Sequence, residues 1–72
     1  MKYIMFYDDW KGGGTLSRHR QFEADDDSVA LVAAHQWIAD NNEKGGYRTL
    51  TLTSLERAWG AQLQHRVSVP IK

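Results

Sequence analysis

The chain reads as an α+β domain of order ββαββ: one amphipathic helix packed on one face of a small four-stranded antiparallel or mixed sheet. Three observations carry that reading. Asp25-Asp26-Asp27-Ser28 places capping side chains directly ahead of apolar residues at helical spacing. Leu50 and Leu52 alternate with Thr49, Thr51 and Thr53, as in a strand with one leucine face and one threonine face. Gly12-Gly13-Gly14 divides two extended stretches in the way a hairpin turn does.

The first strand is Lys2 to Asp9. Tyr3, Ile4, Met5, Phe6 and Tyr7 are all large and apolar or aromatic, so both faces are expected to be at least partly covered. Trp10 to Gly14 is read as the turn, and Thr15 to Ala24 as the second strand. There Leu16, Phe22 and Ala24 share one parity with Arg18 and Arg20. Keeping both arginines in water requires a bulge, or an inner face that becomes exposed midway.

From about Asp27 to Asn41, a turn of 100° per residue collects Ala30, Ala33, Ala34, Trp37 and Ile38 on one stripe facing the sheet. The alanines permit close approach. Trp37 supplies the large apolar surface, and Trp37→Ala is expected to cost about 3–5 kcal/mol if the ring is central. Val32 and Ala39 fall on the opposite side, where a partner could cover them. Asn41 to Gly46 combines poor helix formers with paired glycines and ends the helix. Tyr47 to Leu55 forms the third strand. Leu63, Val67 and Val69 alternate with polar residues in the fourth, and Pro70 belongs at its end or on an edge. Two strand orders remain open. Either the second and third strands are parallel neighbours joined by a right-handed crossover, or the first strand lies between the hairpins.

With 72 residues the chain is one domain, near the lower size at which a single core suffices. The absence of cysteine excludes disulfides, thiolate metal sites and thiol enzymes. Nine Lys and Arg balance nine Asp and Glu, so the long-range field of a dedicated nucleic-acid binder is missing, and an acidic DNA mimic is equally unsupported. The apolar start is interrupted by Asp8 and Asp9, too early for a signal-peptide core or a membrane span, so no membrane association and a cytoplasmic location are expected.

Catalytic constellations are not apparent. Ser17, Ser28, Ser54 and Ser68 lack a nucleophile-elbow context, and no carboxylate pair is recognisably placed for acid–base chemistry. His19, His35 and His65 show no metal-ligand spacing, and the Asp run lacks the intervals of a calcium loop. The triple glycine lies between strands and so has no helix N-terminus behind it. The expectation is therefore no enzyme, no cofactor and no metal.

The candidate binding residues are Trp10, Arg18, His19, Arg20, Arg57, Trp59 and Arg66, with His65 beside the last. Two strands could bring some of the basic groups onto one open face, where they would meet phosphates or an acidic protein. The plainer reading is that they keep an edge or outer face solvated. Tyr3, Tyr7 and Tyr47 could stack on bases, yet strand packing is the simpler role. Trp10 and Trp59 are read at turns. Each either folds back over the core, the simpler reading, or anchors a partner. So small a domain hides limited aromatic surface, so at least one is expected to contact a partner.

Phe22-Glu23-Ala24-Asp25 followed by Ala30, Ala34 and Trp37 resembles a pattern of small bacterial and phage proteins, in which a hairpin strand leads through an acidic cap into an alanine-rich helix. The whole layout is similar to the one-helix, small-sheet architecture of some phage anti-CRISPR inhibitors. That resemblance implies a compact, non-enzymatic protein-binding module, an inhibitor that blocks a surface of a larger host protein or nucleoprotein complex. The alternatives are a small nucleic-acid-binding protein using a basic sheet face, and a self-associating structural protein; the chain itself would be a monomer or homodimer.

Overall fold

In the computed structural model, which describes residues 1–42 and 48–71, the chain forms four strands and one helix in the order β1 (Lys2–Lys11), β2 (Gly14–Glu23), α1 (Asp27–Asn42), β3 (Arg48–Trp59) and β4 (His65–Val69). The sheet order is β2-β1-β3-β4, with every neighbouring pair antiparallel. Of the two orders the sequence leaves open, the first strand between the hairpins is therefore the one adopted. Glu43 to Tyr47, including the expected helix-ending glycines and the start of the expected third strand, lie outside the described residues.

Gly12 and Gly13 take φ of 54° and 105°, so a two-residue turn joins β1 to β2 and leaves their pairing in continuous register from Lys2↔Glu23 to Lys11↔Gly14. Trp10 is consequently inside β1, paired with Thr15, and not in the turn as the sequence reading had it. Trp59 likewise ends β3, which runs four residues past the expected end at Leu55. Gly60 to Gln64 makes the turn, so the alternation expected from Leu63 begins as a strand only at His65. Pro70 follows the last strand residue, as expected.

The β1/β3 register shifts between Phe6 and Tyr7: Phe6 faces Ser54, Tyr7 faces Leu52, and Thr53 is the extra residue. Thr53 Oγ1 donates to the Phe6 carbonyl at 3.0 Å. This bulge keeps Leu50, Leu52 and Leu55 on one side of the sheet despite their uneven spacing.

The helix starts where the Asp run predicts. Asp26 Oδ1 accepts from Val29 N at 2.9 Å, the geometry of a helix N-cap. Asp27 in the first turn accepts from the Tyr3 hydroxyl at 2.7 Å and so ties the cap to the central strand. At the other end Asn42 donates to the Leu50 carbonyl at 3.0 Å and accepts from Leu50 N, standing in for strand pairing where β4 does not reach.

Tyr3, Met5, Tyr7, Leu50, Leu55 and Val69 from the sheet pack with Ala30, Ala34 and Ile38 from the helix. Within the expected inward stripe, Ala33 is exposed and Trp37 only half-buried. Trp37 sits at the flank of the core, 5.0 Å from the Tyr7 ring and under the Arg20 guanidinium at 5.3 Å. Val29 and Val32 are exposed, so the helix carries apolar groups on its outer side as well.

Candidate functional site

The parity of each strand divides the candidate residues between two faces. On the helix side lie Arg18, Arg20, Arg57 and Trp59; on the open side lie Trp10, His19 and Arg66. The basic residues thus do not form one patch. Arg18 Nε donates to Asp9 at 2.9 Å, and Arg20 covers Trp37. On the open side His19 leans against Phe6, with ring centroids 6.0 Å apart. Arg66 Nε donates to the Leu63 carbonyl at 3.2 Å. The inner face of β2 becomes exposed, the second of the two arrangements that would keep Arg18 and Arg20 in water, and β2 itself has no bulge.

Trp59, Arg57 and His65 do converge. Trp59 and His65 are cross-strand partners, and their rings stack at 5.7 Å with 24° between planes. Arg57, two residues back on the same face, holds its guanidinium 5.8 Å from the Trp59 ring. Gly60 makes the turn out of β3 possible with φ of 96°, and a Cβ there would meet His65 Cδ2 at 2.9 Å. Close packing of the turn against His65 therefore fixes the ring on which Trp59 rests. Around this stack opens a groove of about 470 Å³ lined by Met1, Lys2, Arg57, Ala58, Trp59, Gly60 and Leu63. Trp59 stays 46% exposed, Met1 55% and nearby Val67 45%. The half-exposed Trp59 indole thus has both the His65 imidazole and the Arg57 guanidinium against it, next to a mainly apolar groove.

Trp10 is 45% exposed at the other end of the sheet and has no comparable surround among the described residues. Tyr3 and Tyr7 are buried, which leaves neither ring face free for a base. Burial, together with the hydrogen bond to Asp27, pushes the Tyr3 phenol up to about 12.

Two sets of participants are not among the candidates the sequence offers: Asp9 with Arg48, and the groove residues Met1, Lys2 and Leu63. Asp9 is buried on the helix side of β1 and accepts from Arg48 Nε and Nη2, each at 2.9 Å, as well as from Arg18. The Arg48 hydrogen bond, chiefly, holds its carboxyl below the usual carboxylate range, against the opposing effect of burial. The contributions of Met1, Lys2 and Leu63 to the groove also depend on the bend of the chain after Trp59, which no local pattern announces. On the open face, Glu56 Oε1 is buried without a hydrogen-bond partner, and Arg66 Nη1 approaches it at 3.6 Å as an ion pair only.

Among the described residues no group of three or more His, Asp or Glu side chains is placed to hold a metal, and no helix is long and apolar enough to cross a membrane. Comparison with protein-family models, curated proteins and solved structures finds no significant match to the chain.

Proposed function

We propose that this chain is a non-enzymatic protein-binding module that works by occupying a surface of a larger protein or nucleoprotein complex, with the Trp59 groove as its contact. The observation that carries the reading is the Trp59 stack: an indole held by His65 and Arg57, 46% exposed, beside a groove of about 470 Å³. Buried tryptophans and arginines dominate the energetics of protein interfaces, and a ring already fixed in place loses little entropy on binding. A blocking role, as implied by the resemblance to anti-CRISPR inhibitors, is part of the same reading.

The alternatives draw less support. Arg66 lies on the face opposite Arg18, Arg20 and Arg57, so a continuous phosphate-tracking surface is not assembled from these residues. Self-association through the β2 edge would set Arg18, His19 and Arg20 against their own copies when the two-fold axis falls on that stretch, and like charges opposed across strands are unfavourable.

The test is paired capture from a lysate of the source cells using the wild-type chain and Trp59→Ala, with both folds checked by circular dichroism. A protein retained by the wild type and lost at least about 30-fold with Trp59→Ala, a change of about 2 kcal/mol, supports the groove as contact. Equal retention by both removes it.

A further inference from the structure

We propose that the end of the sheet around Asp9 is a receptor for a phosphate-class oxyanion, held by Lys11, Arg18 and Arg48. Asp9 acts there as the group that positions the arginines. This site lies at the opposite end of the strands from Trp59 and uses none of its residues.

The strand register makes the case. Lys11 and Arg48 are direct cross-strand partners on the helix side of the sheet. Like charges in that position weaken a sheet, so a sequence shaped by stability alone has reason to avoid the pair. Asp9, two residues back from Lys11 on the same face, is the carboxylate that compensates Arg48, and it serves Arg18 as well. Among the described residues that line this cavity, three are cationic and one is anionic, so its lining carries two positive charges in excess on a chain whose formal net charge is zero.

The geometry leaves donors to spare. A guanidinium carries five N–H groups. Arg48 commits Nε and Nη2 to Asp9, and Arg18 commits Nε. Their side chains remain 39% and 49% exposed, whereas that of Asp9 is 5% exposed. Both planar forks are therefore oriented from beneath by a buried anion and reach solvent with most of their N–H groups. They border a cavity of about 430 Å³ together with Lys11, Gly14, Thr15 and Leu16. Arginine forks suit the oxygens of a phosphate, and the lysine adds a point charge at the rim. A divalent oxyanion would match the excess of charge.

The test follows the Nε–Hε resonances of Arg18 and Arg48 by NMR while inorganic phosphate is added, with sodium chloride and sodium acetate as separate arms at matched ionic strength. Saturable shifts of both resonances with phosphate, and weaker binding of acetate, are expected. Lys11 is exposed at the strand end, so Lys11→Glu should keep the fold and weaken phosphate binding about tenfold or more; Lys11→Ala should weaken it less. Trp59→Ala should leave the titration unchanged. Identical shifts with chloride, or a phosphate titration indifferent to both Lys11 variants, would overturn the proposal. Acetate binding as tightly as phosphate would overturn the phosphate assignment.

Discussion

The two faces of β1 bury their side chains by different means. On one side Tyr3, Met5 and Tyr7 lie beneath a helix whose Ala30, Ala34 and Ile38 come down onto them. On the other no element among the described residues covers the strand, yet Ile4 is only 2% exposed. There His19 and Gln21 from β2 and Arg66 from β4 line, with Ile4 and Phe6, a small pocket of about 100 Å³. Long polar side chains can lay their stems along apolar surface while their heads stay in water. The central strand is thus apolar on both faces because its neighbours shield it on both, whether by backbone-anchored packing or by a roof of side chains. The first cover is rigid; the second can settle.

That contrast predicts unequal losses from equal truncations. Met5→Ala should destabilise by about 3–4 kcal/mol, because the helix cannot close over the void, and Leu55→Ala by a similar amount. Ile4→Ala should cost about half as much, since His19, Gln21 and Arg66 are free to fold inward. Urea titration of the three variants measures it. Equal losses at Met5 and Ile4 would mean that the side-chain roof is as firm as the helix.

Trp37 tests the border between the covered and open regions of the helix side. Its ring is half-buried between Tyr7 and Arg20 and is not central. Trp37→Ala should therefore cost about 2–3 kcal/mol, short of the 3–5 expected for a core tryptophan. A loss matching that of Met5→Ala would make Trp37 a full member of the core.

Much of this arrangement is legible in the residues, and the parts that are not share a cause. The Asp run marks the helix start because capping is local: Asp26 reaches a backbone amide three residues on. The glycine turn is local too. By contrast, the third strand is read to end at Leu55 because Glu56 to Trp59 carries no apolar alternation, and only pairing with Phe6 and Tyr7 shows that Thr53 is a bulge residue. The step of three between Leu52 and Leu55 was its trace. Asp9 looks like a solvated strand end until β2 and β3 bring Arg18 and Arg48 to it from both sides. Arg57 and His65 stand out in the sequence as basic residues and Trp59 as an aromatic one, but their convergence depends on the β3/β4 register. Sequence therefore speaks for groups satisfied within a few residues and is silent on those satisfied across strands.

Tyr3 and Asp9 sharpen the comparison along the covered face through pH. Folding raises the Tyr3 phenol from 10.0 to about 12, so the contribution of its neutral form is fully present below pH 10 and disappears as pH climbs from 10 toward 12. Tyr3→Phe should cost about 1 kcal/mol at neutral pH and flatten this alkaline limb. Asp9 has the opposite sign. Its lowered value means that its contribution is complete above pH 3.8 and is lost as pH falls below that. Asp9→Asn should lower stability at neutral pH and flatten the acid limb. Denaturation midpoints between pH 2 and 12 read both; limbs unchanged in the variants would show that other groups set them.

The smallest effect belongs to Arg66, and it bears directly on the roof. Its guanidinium is 3.6 Å from Glu56 Oε1, too long for a hydrogen bond, and its side chain is 47% exposed, so the ion pair contributes little. Arg66→Ala should therefore cost no more than about 0.5–1 kcal/mol. Most of that loss would come from uncovering Ile4 and not from the lost charge, because Arg66 lines the same pocket as Ile4. Arg66→Met keeps the stem and removes the charge, so it should recover most of the loss in the same urea titration. If Met recovers nothing, the ion pair to Glu56 is the stabilising contact, and the open face of β1 is held by charge in place of cover.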